Sequence, residues 1–386
     1  MRLINLLYVI TKLELGGAQK QLLSLIRHLD KKRFRLFLFT AEDGLLLPEA
    51  LSINGLTINK STSLERPINL LKDLLALIEI YRFIKKNNIE IVHTHSSKAG
   101  ILGRLAARLA KARVIIHTVH GWSFNDYQPR GKRLFFIWLE RLVAQVTDKL
   151  IVVSTYDQKK GLVNRIGKEN KYSLIRYGID YTEFCIKDQN IREELGINTN
   201  DLVIGMVSCF KPQKSPQDFI RLAFLVKKTS PDARFLLVGD GILRERIKRL
   251  IRKFNLEKQV ILTGWRRDIP RILSAIDVFV LTSLWEGLPI SVLEAMAASR
   301  PVVSTHTGGV AEIIVEGKSG FLVPPKDMNK MSERLIVLLK DKDLRMRMGE
   351  NARQGLNLNF FLTSMIENNQ NLYEGFIKEK GAVDAN

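Results

Sequence analysis

Two glutamates, Glu286 and Glu294, stand with seven residues between them in SLWEGLPISVLEAMAASRP, residues 283–301, a stretch with no other acidic residue. Burying a carboxylate without a partner is costly, so each requires a reason. Glu286 lies between Trp285 and Gly287, just past the buried-type apolar run 278–281, and the hydroxyls of a bound ligand are the expected partners. Pro289 predicts a helix beginning near Ser291, and Ser291 to Glu294 then fits an S-x-x-E capping box, which gives Glu294 a structural role beside any ligand role. A second constellation is basic. Lys214 precedes Ser215, the expected N-cap of a helix with Pro216 in its first turn. A lysine beside exposed helix N–H groups suits a diphosphate, and Lys211 is a second candidate in the same loop.

The chain has six histidines, and four of them, His93, His95, His117 and His120, fall at the ends of two predicted strands. Open α/β sheets place ligands at the carboxyl ends of their strands. His120, followed by Gly121, is the one singled out as a sugar or phosphate contact, and a four-histidine zinc site ranks well below that reading because no spaced carboxylates accompany it. Gly16 and Gly17 follow the first strand and open a helical pattern, so the backbone there approaches a phosphate closely. Neither GxGxxG nor GxxxxGK[ST] follows any strand, which disfavours dinucleotide and P-loop enzymes.

These residues need a scaffold of strand ends, and the chain supplies one twice. Short apolar runs alternate with helical patterns, predicting strands at 4–10, 34–39, 89–93, 114–118 and 150–154, and again at 202–207, 235–238, 260–263, 278–281 and 301–304. Leu70, Leu71, Leu74, Leu75, Ile78, Tyr81 and Ile84 repeat at helical spacing and predict a helix docked by that stripe. The polar stretch 180–201 reads as a linker. With 386 residues the chain exceeds one ordinary core, so two α/β domains are expected, 1–180 and 181–360, followed by a helical segment 361–386 that returns to the first.

Composition narrows the partners. Two cysteines without paired spacing suit a reducing compartment, the N-terminal apolar run is too short for a signal peptide, and no segment reaches the length of a membrane span. A formal net charge of +20 points to an anionic partner. In PRGKRLFFIWLERL, residues 129–142, cationic and aromatic residues interleave as they do in helices that lie on anionic lipid. The same charge admits a nucleic-acid-binding alternative, but the basic residues are dispersed and no reading motif is present.

Taken together, the motifs resemble the retaining glycosyltransferases of family 4. EGLPISVLEAMAASRPVV and TGGVAEIIVEGKSGFLVPP (307–325) carry the resemblance, supported by GGAQ, TVHGWSF, LIRYGID and VSCFKPQKSPQDFIRLA, in order from residue 3 to about 340. It implies the GT-B fold, two doubly wound parallel-sheet domains facing each other across a cleft. It also implies transfer of a sugar from a nucleotide diphosphate sugar, UDP-linked, with retention, to a glycan or polyprenyl diphosphate-linked acceptor, as in capsule, exopolysaccharide or O-antigen assembly. No other cofactor and no metal are implied. By position, Glu294 resembles the residue that holds the donor ribose, Glu286 the one that contacts sugar hydroxyls, and Lys214 the diphosphate lysine. The N–H groups of Leu288 and Ile290 and the backbone of Gly17 would add donor contacts, with His120 near the sugar. Two departures stand out: Cys209 replaces an arginine of the common pattern, with Lys211 the candidate substitute, and Tyr177 replaces an asparagine. The expected location is cytoplasmic, peripheral at the inner membrane face. A sugar-nucleotide epimerase of the same fold is the alternative within this architecture.

Overall fold

The computed structural model describes residues 3–186, 188 and 190–383. It divides into two compact units, one ending at Gly178 and resuming at Thr363, the other spanning Ile179–Leu362. In the first, β1 (Ile4–Val9), β2 (Phe34–Ala41), β3 (Leu56–Ser61), β4 (Ile91–His95), β5 (Val114–Val119), β6 (Lys149–Val152) and β7 (Tyr172–Leu174) form one sheet in the order β3-β2-β1-β4-β5-β6-β7. Every pairing is parallel. The second unit repeats this winding with β8 (Val203–Val207), β9 (Arg234–Val238), β10 (Val260–Gly264), β11 (Val278–Leu281), β12 (Val302–Thr305) and β13 (Gly320–Val323), ordered β10-β9-β8-β11-β12-β13 and again all parallel. Strands such as β1 and β11 read as continuous apolar runs because helices cover both faces of a parallel sheet. The order reverses between β1 and β4 in one unit and between β8 and β11 in the other, which are the positions where open sheets leave a crevice.

Three strands escape the sequence reading. β3, LTINKS, is a partly exposed edge strand with polar residues, while β7 and β13 have only three and four residues. The helical stripe of the first unit is a larger correction. Within the helix Leu70–Lys86 the buried residues are Ala76, Ile80 and Ile84, whereas Leu70, Leu71, Leu74 and Leu75 are between 53% and 83% exposed. Ala76, Ile80 and Ile84 join Leu7, Val9, Phe37 and Phe39 in one core cluster. The periodicity is real, but only the later turns of the helix reach that cluster, so the leucines of its first turns stay in solvent.

The helix Arg130–Gln145 is held from its inner face by Glu140, which accepts a hydrogen bond from the buried Arg104 at 2.8 Å. Its outer face shows Leu134, Phe135, Trp138 and Leu142 to solvent. The last helix, Leu362–Val383, packs on the first unit: the hydroxyl of buried Tyr373 lies 3.2 Å from that of Tyr8, and Lys380 donates to Asp148 at 2.7 Å.

Candidate functional site

In the second unit, the loop after β8 and the loop after β11 meet at the point where the strand order reverses. Backbone and side chain stitch them together: Leu284 N–H donates to Gln213 O at 2.7 Å, Gln213 Nε2 to Trp285 O at 3.0 Å, and Thr282 Oγ1 to Ser215 O at 3.0 Å. Lys214 and Glu286, 72 residues apart in sequence, thereby become neighbours. Lys214 Nζ donates to Glu286 Oε1 at 2.5 Å, and Ser283 Oγ donates to the same oxygen at 2.5 Å. The Glu286 side chain is 5% exposed and that of Lys214 18%. This overturns the reading of Glu286 as a carboxylate with no structural partner, because it terminates a buried ion pair. Both of these bonds fall on Oε1, and Oε2 accepts no hydrogen bond among the described residues.

The loop geometry is held by close backbone approaches. Gly308, at φ +57°, lies so near Glu286 that an added Cβ would stand 2.0 Å from its carbonyl oxygen, and Gly309 N–H donates to Gly287 O at 2.6 Å. Gly239 supports the β8 loop in the same way, with a Cβ there falling 1.9 Å from Ser208 O. Ser215 adopts a left-handed conformation, φ +46° and ψ +51°, that costs free energy for a non-glycine residue. Its carbonyl is fixed by Thr282 and its hydroxyl donates to the buried Asp218 at 2.6 Å. Ser215 does occupy the N-cap position of the helix Pro216–Lys227, but its hydroxyl goes to Asp218 rather than to a helix N–H. Lys211 sits at the N-cap of the 3-10 turn Pro212–Lys214, in the same loop.

Glu294 lies in the helix Ile290–Ala297, whose N-cap is Pro289. The capping box from Ser291 to Glu294 is therefore absent: the helix starts one residue earlier than expected, and both residues are already inside it. Glu294 is a 9% exposed carboxylate on an apolar helix, with Leu288 and Ile290 at the turn that precedes it. In the first turn Val292 N–H donates to Pro289 O at 3.1 Å, while the N–H groups of Ile290 and Ser291 have no acceptor within the helix.

In the first unit, Gly16 and Gly17 open the helix Gly17–His28 after β1, and Gly16 is extended at φ −135°. The histidines do cluster, but as an internal hydrogen-bonded network, in which buried His95 Nε2 lacks a partner among the described residues. His93 Nδ1 lies 2.7 Å from Tyr373 Oη and its Nε2 2.7 Å from Thr118 Oγ1. His117 Nδ1 lies 2.9 Å from Thr94 Oγ1. His120 Nδ1 lies 2.6 Å from Tyr177 Oη, and its Nε2 2.8 Å from His95 Nδ1. Burial holds both His93 and His120 down at about 3, and also lowers His95 and His117, so all four are neutral at pH 7. With both ring nitrogens engaged, His120 presents its ring face and backbone. The participation of Ser283, Tyr177 and Tyr373 was not read from the sequence; a serine three residues before Glu286 was the only local signal.

Two all-parallel sheets, each with a reversal of strand order near its centre, define a doubly wound α/β architecture built twice in one chain. Comparison with known proteins makes this specific. Residues 15–183 match the family described as Glycosyltransferase Family 4, and residues 187–355 match Glycosyl transferases group 1. The Escherichia coli UDP-Gal:alpha-D-GlcNAc-diphosphoundecaprenol alpha-1,3-galactosyltransferase is 36% identical over 321 residues, 82% of this chain and 83% of that one. The O-antigen biosynthesis glycosyltransferase WbnH of Escherichia coli is 30% identical, covering 83% of this chain and 86% of its own length. The crystal structure of Anabaena HepE in complex with UDP-glucose superposes with a TM-score of 0.84 at 19% identity, covering 96% of this chain and 100% of that one. The chain belongs to the family 4 glycosyltransferases and has their GT-B architecture.

Proposed function

We propose that this glycosyltransferase moves a hexose or N-acetylhexosamine from a UDP-linked sugar to a hydroxyl of a glycan or polyprenyl diphosphate-linked acceptor, with retention, in assembly of a surface polysaccharide. The observation that carries it is the Lys214–Glu286 pair at the strand-order reversal of the second unit. Transfer from a nucleotide diphosphate sugar needs charge stabilisation on the departing diphosphate and a fixed sugar. Lys214 has donors beyond the one given to Glu286, and these serve the diphosphate, with Lys211 beside it. Glu286 Oε2 accepts from sugar hydroxyls, Glu294 holds the ribose, and the N–H groups at Leu288 and Ile290 complete the anion site. His120 and the turn at Gly16 and Gly17 contribute from the first unit. The UDP-galactose and lipid-linked acceptor in the relative's name, and the UDP-glucose bound by HepE, support the donor and acceptor classes.

A thermal-shift screen of nucleotide diphosphate sugars tests the reading. A UDP-sugar present at about 100 times its Kd should stabilise the protein by about 2.7 kcal/mol. Failure of every UDP-sugar, with a GDP- or ADP-sugar giving the shift, would replace the base; no response to any of them would remove the donor reading.

The exposed face of the helix Arg130–Gln145 supports peripheral association with an anionic membrane. Leu134, Phe135, Trp138 and Leu142 would enter the acyl boundary while Arg130, Lys132, Arg133 and Arg141 meet lipid phosphates. No helix among the described residues is long and apolar enough to cross a membrane. Co-sedimentation with vesicles rich in phosphatidylglycerol is expected at low salt. Phe135→Ser and Trp138→Ser should each weaken it roughly 10-fold, the loss of one buried aromatic. Equal binding by the double variant would exclude this face.

A further inference from the structure

His120 is held from both sides by residues that the proposed chemistry leaves without a task. On one side the Tyr177 ring lies at its edge, centroids 5.7 Å apart and planes inclined by 23°, with the phenol oxygen 2.6 Å from Nδ1. On the other, the His95 ring lies edge to edge with it, centroids 5.1 Å apart and planes inclined by 23°, its Nδ1 2.8 Å from His120 Nε2. We propose that Tyr177 and His95 are positioning residues that clamp the His120 imidazole through both nitrogens and lock it as the neutral Nε2–H tautomer.

The direction of the hydrogen bonds follows from their lengths and from what remains at the ends of the chain. A separation of 2.6 Å is short for an N–H donor and ordinary for an O–H donor, so the phenol donates to Nδ1. His120 then carries its proton on Nε2 and donates it to His95 Nδ1. His95 in turn must carry its own proton on Nε2. That nitrogen is buried and has no hydrogen-bond partner among the described residues. His95 lines a cavity of about 30 Å³ together with Gln21, Thr118, His120, Tyr177 and Asn369. The volume admits one water, which accepts the His95 proton and closes the chain. His95 is itself fixed from behind, since the ring of His93 lies 4.3 Å from it and is tethered to Tyr373 and Thr118.

The clamp has a functional consequence that rests on His120 contacting the sugar. An imidazole with both nitrogens occupied neither takes nor gives a proton during transfer. Its value is a rigid ring face and a fixed backbone turn against which the sugar is oriented, and loosening it should slow transfer without abolishing donor binding.

The test uses the full chain labelled with ¹⁵N-histidine, its nitrogen resonances read through two-bond proton couplings at neutral pH, with His120 assigned by the signals lost in His120→Gln. The expected wild-type spectrum has His120 Nδ1 in the unprotonated range and Nε2 in the protonated range. Tyr177→Phe keeps the aromatic ring and removes only the hydroxyl. It should move Nδ1 toward the range of mixed tautomers and lower kcat by roughly 10-fold, with KM for the donor within about 2-fold. A wild-type His120 protonated on Nδ1 overturns the proposal, and this result needs no variant to fold. So does a Tyr177→Phe spectrum unchanged from wild type. The clamp and the donor-site reading separate cleanly: if the tautomer and its shift are as stated while His120→Gln transfers at the wild-type rate, the clamp stands and the placement of His120 at the sugar falls.

Discussion

Glu286→Ala is expected to lower the stability of the second unit by about 2–4 kcal/mol and to reduce transfer by roughly 100-fold. The stability loss arises at Lys214. Its side chain is only 18% exposed and its hydrogen bond to Glu286 is one of the contacts that join the β8 loop to the β11 loop, so the substitution leaves a mostly buried ammonium without its counter-charge. Ser283 loses its acceptor as well. The loss is placed below that of a fully buried pair because Lys214 retains some access to water. Glu286→Gln separates the two roles: the amide oxygen still accepts from Ser283, so much of the loop geometry survives, while the charge that holds Lys214 is gone. The measurements are urea unfolding of the two variants and of Lys214→Met/Glu286→Leu, together with donor titrations. If Glu286→Ala unfolds at the same urea concentration as wild type, the ion pair does not hold the loops together, and the ligand-only role expected from sequence would be restored.

The same pair shows why part of the site was readable and part was not. Lys214 and Glu286 were identifiable because each sits in a loop after an apolar strand, and Glu294 because its charge is out of place in an apolar helical run. Their mutual geometry was not, since it depends on β8 and β11 being neighbours in the sheet, and that adjacency comes from the reversal of strand order rather than from any local pattern. The histidines illustrate the same limit. Their position at strand ends follows from the runs IVHTH and VIIHTV, but which nitrogens remain available is decided by Tyr177 and by Tyr373, the latter 280 residues beyond His93. The errors at Glu294 and at the leucines of the helix Leu70–Lys86 have a different source. Spacing shows which residues share a face or fit a cap; it does not show where the helix begins, nor how much of its length lies over the core. Pro289 takes the cap ahead of Ser291, and Ala76, Ile80 and Ile84 take the core ahead of four larger leucines.

Acidification should therefore unfold the two units in sequence, the first before the second. Burial holds His93 at about 3, against an ordinary value of 6.5. A histidine whose folded value is depressed favours the fold while it is neutral. The stability it confers is present above pH 6.5 and is lost as the pH falls from there toward 3, because only the unfolded chain takes up the proton. From pH 7 to pH 5 His93 alone costs about 2 kcal/mol. His95, His117 and His120, also lowered by burial, add to it. The groups packed around His93 are Tyr8, Tyr373, Thr118, His95 and His120, and none of them is an anion that would stabilise its protonated form. In the second unit the shifted acids are carboxylates. Asp188 and Glu194 are lowered by hydrogen bonds from arginines, so what they contribute is intact at pH 5 and declines only below about pH 4. Hydrogen exchange at pH 7 and pH 5, corrected for intrinsic rate, should show protection falling in β4 and β5 while β8 and β11 hold. His93→Gln should unfold more readily at pH 7 and show a smaller further loss at pH 5. Equal loss of protection in both units, or a pH dependence untouched by His93→Gln, would mean that the buried histidines do not set the acid limit of the fold.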